Sequence, residues 1–169
     1  MNLTIIGNII ALLASIVMVL ASYVKEKNNI IKVQTIQMML FTLSNLVLGG
    51  ITGVIINAAN VVRNILCYKN KLTSKIIIII NIFMIVLSII FNNLSIIGWL
   101  PVIASVIYTT FMNTKNVINL KLLIILTTIS WAIYDFTIKS YTSIVFDVFS
   151  FLACIISIYQ IKLKEIKNK

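Results

Sequence analysis

Histidine is absent from the sequence. Its absence removes the commonest metal ligand and the commonest general base. Acidic residues number four in 169, namely Glu26, Asp135, Asp147 and Glu165. So few carboxylates, with no nucleophile–base pair or ligand cluster, argue against an enzyme and against a bound metal or cofactor. Cysteine occurs twice, as Cys67 and Cys154, each within or at the end of an apolar segment. Such cysteines act as small buried hydrophobes more readily than as a disulfide or metal site. Proline occurs once, at Pro101. Charge is scarce overall, at 11% against about 25% in soluble domains. Met1–Leu20 carries no Lys or Arg and runs into no polar mature domain, so it reads as a retained first membrane helix, not a signal peptide.

What is present is apolar. Hydrophobic residues make up 60% of the chain and the mean hydropathy is +1.09. A water-soluble chain of this length could not hide so much apolar surface, so an all-α integral membrane protein of one domain, residues 1–169, is expected. Seven apolar runs can be drawn: Leu3–Tyr23, Thr35–Leu48, Thr52–Tyr68, Lys75–Phe91, Leu94–Met112, Leu120–Ile138 and Thr142–Ile161. The net charge of +10 lies between them. Lys25, Lys27 and Lys32 separate runs one and two. Arg63, Lys69, Lys71 and Lys75 mark the boundary of runs three and four. Lys115 and Lys121 separate five and six, and Lys162, Lys164, Lys167 and Lys169 follow run seven. The alternate connections are nearly bare, Lys139 excepted. Basic residues collect on the cytoplasmic side. Seven spans in a bacterial inner membrane, with the amino terminus outside and the carboxy terminus cytoplasmic, satisfy that rule; six or eight would break it. The basic charge then reflects topology and anionic lipid, not nucleic acid.

The chain also repeats. Asn45–Asn60, NLVLGGITGVIINAAN, maps onto Asp135–Ser150, DFTIKSYTSIVFDVFS, at a constant shift of ninety. Asn45 falls on Asp135, Thr52 on Thr142 and Asn57 on Asp147. Asn2–Gly7 matches Asn93–Gly98 in five of six positions. Runs one to three thus recur as runs five to seven. Run four restores the orientation that three spans reverse. A parallel 3+1+3 arrangement of triple-helix bundles follows, with repeats at 1–70 and 92–164 and a linker helix at 75–91. Solute sites in such architectures lie between the repeats. Tight turns are expected at Gly49–Gly50 and Lys139–Ser140.

Two polar stripes have helical spacing. Gly53, Asn57, Asn60 and Asn64 share a face of run three; Ser143, Asp147, Ser150, Cys154 and Ser157 share one of run seven. Both should point inward, either as packing contacts or as the lining of a solute site. Asn57, Asn60, Asp147 and Ser150 are the expected substrate-binding residues, with Trp131 as a stacking platform. Asp135 and Lys139, one turn apart, read as an interfacial ion pair or as an outer gate. Pro101 should kink run five and act as a hinge. Arg63 is expected to snorkel to the cytoplasmic headgroups.

Thr52-Gly53, Asn57 and Arg63-Asn64 within run three, with Ile129–Asp147, resemble the YgjV family of bacterial inner membrane proteins. The resemblance covers nearly the whole chain. Its repeat architecture is similar to that of SWEET sugar transporters and PnuC-type vitamin transporters, which implies a passive carrier with a central site of asparagines and aromatics. The Pro-Gln pair of PQ-loop relatives is missing, since Val102 follows Pro101. The expected function is a small-solute carrier, passive or coupled to a proton through Asp147. Its partners would be a small polar solute and the lipid bilayer, with a homo-oligomer left open. The alternative is a membrane interaction or sensor protein in which the polar stripes only pack helices.

Overall fold

A computed structural model describes residues 2–167 and places them in seven helices. These are α1 (Leu3–Tyr23), α2 (Lys27–Leu48), α3 (Ile51–Tyr68), α4 (Ser74–Phe91), α5 (Trp99–Phe111), α6 (Val117–Thr137) and α7 (Tyr141–Lys167). No strand occurs among the described residues. Six helices are long and apolar enough to cross a membrane; α5, with 13 residues, is shorter. Lys169 lies outside the described residues, as do the side chains of Lys164 and Lys167.

Polarity is distributed inside out. Ile78, Ile79, Ile89, Phe136 and Val148 are more than half exposed, whereas Asn57, Asn60, Arg63, Asn64 and Lys121 are buried. Where lipid is the solvent, apolar side chains need no burial and polar groups must find partners inside the protein.

Two helices differ from the runs drawn on hydropathy. The second run begins at Thr35, but α2 begins eight residues earlier, at Lys27. Nothing in Lys27–Gln34 breaks a helix, and Ile30, Ile31 and Gln34 are buried within it. The fifth run begins at Leu94, but α5 begins at Trp99. Asn92 accounts for the delay. Its side chain accepts from the Leu94 amide (2.9 Å) and donates to the Ser95 carbonyl (2.7 Å), and Ser95 turns left-handed at φ 51°. Pro101 is consequently the third residue of α5, in a turn whose N–H groups have no intrahelical acceptor. A proline there removes no helix bond, so the main physical ground for a kink at Pro101 is missing.

Six helices form a closed ring. Around it run α1, α2, α3, α5, α6 and α7, the last returning to α1, while α4 packs outside against α3 and α5. The two hairpins close identically. In the first, the Gly50 amide donates to the Asn45 carbonyl (2.8 Å) and the Gly49 amide to Leu46 (3.4 Å), with Gly49 left-handed at φ 77°. In the second, Ser140 donates to Asp135 (2.9 Å) and Lys139 to Phe136 (3.2 Å), with Lys139 at φ 60°. Both are Schellman closures, ninety residues apart.

The ends of the ring are tied differently. At the hairpin end, Asn8 Nδ2 donates to the Lys139 carbonyl (3.0 Å) and Asn93 Nδ2 to that of Gly49 (3.1 Å). At the other end Lys25 Nζ donates to Gln160 (2.9 Å), Lys32 Nζ lies 4.9 Å from the Tyr68 ring, and Asn113 Nδ2 donates to the Leu72 carbonyl (2.9 Å). The basic connections thus gather at one end.

Candidate functional site

The ring encloses a cavity of about 70 Å³ between its halves, room for a few waters. Twenty-one residues line it, and sixteen of these form eight pairs separated by ninety positions. Gln37 pairs with Thr127, Phe41 with Trp131 and Asn45 with Asp135. Asn57 pairs with Asp147, Asn60 with Ser150 and Met18 with Tyr108. Gln34 with Ile124 and Met38 with Thr128 complete the set. The ring order explains the pattern: each helix stands three places from the one carrying its counterparts.

All five expected substrate-binding residues, Asn57, Asn60, Trp131, Asp147 and Ser150, line this cavity, and so does Asp135. Both polar stripes face inward as expected: Asn57, Asn60, Asn64, Ser143, Asp147, Ser150, Cys154 and Ser157 are all buried. Their contacts divide them. Asn60 Nδ2 donates to Ser105 Oγ (3.0 Å), and Ser150 bonds Ser22. Asn57 Nδ2, Asn45 Oδ1 and Asp147 Oδ2 have no hydrogen-bond partner among the described residues. Buried polar atoms are ordinarily satisfied. Three unsatisfied atoms around one cavity, on α2, α3 and α7, mark the surface a polar guest or water would contact.

Arg63 does not snorkel. It is 1% exposed and turns into the ring. Nε and Nη2 donate to Asn64 Oδ1 (3.1 and 2.8 Å), and Nη1 donates to Asn60 Oδ1 (2.8 Å) and Thr109 Oγ1 (3.1 Å). The guanidinium carbon lies 4.7 Å from the Tyr108 ring centroid, a cation–π contact. Tyr108 is held in turn by donating to Gln34 Oε1 (2.9 Å). A network spanning α2, α3 and α5 therefore replaces the headgroup contact, since an internal set of oxygens satisfies the charge at less cost than a long extension to the interface. The asparagine next to Arg63 and the one a turn before it were the available signal, being acceptors at guanidinium reach.

The charge pattern groups Lys121 with the loop charges, yet it is fully buried. Its ammonium donates to the Ser22 (2.7 Å) and Val24 (2.9 Å) carbonyls at the end of α1. A cation there satisfies carbonyls that the helix leaves open. It ties α6 to α1 below the cavity.

The pair Asp135 and Lys139 does not form an ion pair across one helix turn. Helix α6 ends at Thr137, and the left-handed backbone at Lys139 carries its exposed side chain off the helix, while Asp135 is buried in the cavity. The neighbouring residue makes the contact across the ring. Tyr134 is fully buried, and its hydroxyl accepts the Gly53 amide proton (2.8 Å). A Cβ on Gly53 would meet the Asn45 amide nitrogen and that hydroxyl, so the glycine leaves the space that these two side-chain ends occupy. A second hollow of about 320 Å³ is lined by Leu3, Thr4, Val47–Gly49, Leu94 and Thr137–Lys139. Its floor is the pair of hairpin turns.

No cluster of three or more His, Cys, Asp or Glu residues able to hold a metal occurs among the described residues. Both cysteines are buried and free.

Residues 5–165 match Imp-YgjV, a family described as bacterial inner membrane protein. The chain belongs to the YgjV family. No curated protein and no solved structure matches it. Membership in the YgjV family agrees with several membrane-crossing helices and places the protein in the bacterial inner membrane. Arg63, which lines the cavity, and Asn64 beside it belong to the sequence stretch that carries the resemblance.

Proposed function

We propose that this YgjV-family protein is a carrier for a small polar solute, built as a parallel 3+1+3 repeat in which α4 joins two triplets, as in SWEET- and PnuC-like proteins. One observation carries the reading: eight residue pairs at a constant separation face one cavity from opposite halves of a ring. A pseudo-two-fold axis through a polar cavity is the arrangement in which rocking of two similar halves exposes one site to alternate sides. Asn57, Asn60, Trp131, Asp147 and Ser150 would form the site. The Tyr134–Gly53 contact would close one end and the Lys121–α1 contact the other. Asp135 would belong to the site more than to a gate. Basic residues gathered at one end favour a cytoplasmic carboxy terminus. Catalysis is no part of the proposal.

Uptake into proteoliposomes tests it, using labelled sugars, polyols, nucleosides and amines. Saturable uptake of at least one, reduced more than about tenfold in Asn57→Ala, is the expected result; a 1.4 kcal/mol loss of binding already gives tenfold. Unaltered uptake in both Asn57→Ala and Asp147→Asn would put the site elsewhere. A second reading, a membrane interaction or sensor protein, draws on Asn60–Ser105 and Lys121, polar contacts whose partners are all protein. It requires that no solute stabilise the protein and that a protein partner co-purify with it.

A further inference from the structure

The cavity is chemically lopsided. Asp135 and Asp147 face it from α6 and α7, and Arg63 faces it from α3. Arg63 neutralises neither carboxylate by contact, because its four hydrogen bonds end on the neutral oxygens of Asn60, Asn64 and Thr109. Two carboxylates and one guanidinium leave a single negative charge when all are ionised. Burying an uncompensated charge in a membrane protein is costly, and one positive charge in the cavity would cancel it.

The acidic pair has independent company. Asn45 and Asn57 are 1% and 2% exposed, and both line the same cavity. Asn45 Oδ1 is an acceptor without a donor, and Asn57 Nδ2 is a donor without an acceptor. Trp131 stands one helical turn before Asp135, and Phe41 occupies the corresponding place on α2. Aromatic faces beside a carboxylate attract organic cations and shield their carbon skeleton. An alkali ion would use the oxygens but neither the rings nor the Asn57 donor.

We propose that the cavity binds a small organic monocation of the amino-alcohol type. Its ammonium lies between Asp135, Asp147 and Asn45 Oδ1, its hydroxyl accepts from Asn57 Nδ2, and its carbon chain packs between Trp131 and Phe41. This rests on the reading of the cavity as a solute site and names the solute's class.

Thermal melting of the purified full chain, in amine-free buffer, provides the test. The probes are ethanolamine, ethylene glycol as its uncharged isostere, and sodium chloride at equal concentration. Ethanolamine should raise the melting temperature by about 3 °C or more at saturating concentration, since a ligand of the folded state alone must stabilise it. The glycol and the salt should not. Asp135→Asn and Asp147→Asn, isosteric and monodisperse by gel filtration, should each lose that increment, and Trp131→Leu should lose more than half. No increment in the unmodified protein, an equal one from the glycol, or an undiminished one in Asp135→Asn/Asp147→Asn overturns the proposal. So does a carboxylate-dependent increment from sodium chloride, which would make this an alkali-ion site. Labelled ethanolamine in proteoliposomes separates the two readings. Binding without uptake ends the carrier reading and leaves the cation site. Uptake of an uncharged solute that needs Asn57, without amine binding, does the reverse.

Discussion

The α2–α3 and α6–α7 hairpins share a backbone plan and differ in charge. Each ends its first helix in the same pair of Schellman bonds, and each turns the second helix so that a stripe of small and polar residues faces the ring's interior. At equivalent positions one has Asn45, Asn57 and Arg63 where the other has Asp135, Asp147 and Ala153. The positive charge of the cavity thus comes from one half and the negative charges from the other. A symmetric frame does not impose symmetric chemistry. It fixes where side chains meet, and each half can then change its residues independently.

The strongest way to break the comparison is to force the halves to match. Ala153 is 1% exposed at the place equivalent to Arg63. Ala153→Arg would put a second guanidinium in a site with no acceptors prepared for it, adding overpacking to an unpaired buried charge. Loss of several kcal/mol follows, and purification should yield no monodisperse folded protein. The converse, Arg63→Met, strands the acceptors of Asn60, Asn64 and Thr109. It should cost about 2–4 kcal/mol, read as a lower melting temperature with the fold retained. A smaller effect is expected where the halves touch. Tyr134→Phe keeps the ring but leaves the Gly53 amide unpaired. It should destabilise by about 1–2 kcal/mol and raise alkylation of a cysteine introduced at Asn45 by a water-soluble maleimide. Unchanged alkylation would show that Tyr134 does not close that end. The smallest effect sharpens the likeness of the turns. Lys139 holds a left-handed conformation that glycine holds in the other hairpin. Lys139→Gly should stabilise by up to about 1 kcal/mol and Gly49→Ala should destabilise by a similar amount, both measurable as shifts in melting temperature.

Much of this was legible in the sequence. The seven helical segments, both hairpin turns and the inward polar stripes follow from hydropathy, glycine placement and helical spacing. The shift of ninety singled out pairs that line the cavity. The errors share a cause, which is that hydropathy measures preference for lipid and is silent on internal partners. The second apolar run starts just after Gln34, although Gln34 is buried and accepts a hydrogen bond from Tyr108. The charge pattern places Lys121 with Lys115 between runs five and six, although helix α1 offers it two carbonyls. A lone arginine near the end of an apolar run points to the headgroups, although Asn60, Asn64 and Thr109 hold Arg63 inside. The late start of α5 depends on Asn92 bonding to its own following turn, a local competition that an apolar stretch conceals. Nor could spacing along one helix show that the Tyr134 hydroxyl reaches the Gly53 amide of the opposite half.

Helix α4 stands outside the ring and contributes no residue to the cavity. Its consequence is genetic. The ring is made by the segments on either side of it, so the Lys69–Thr73 connection is a natural point of fission, where the coding sequence could be divided and the two products still find each other in the bilayer.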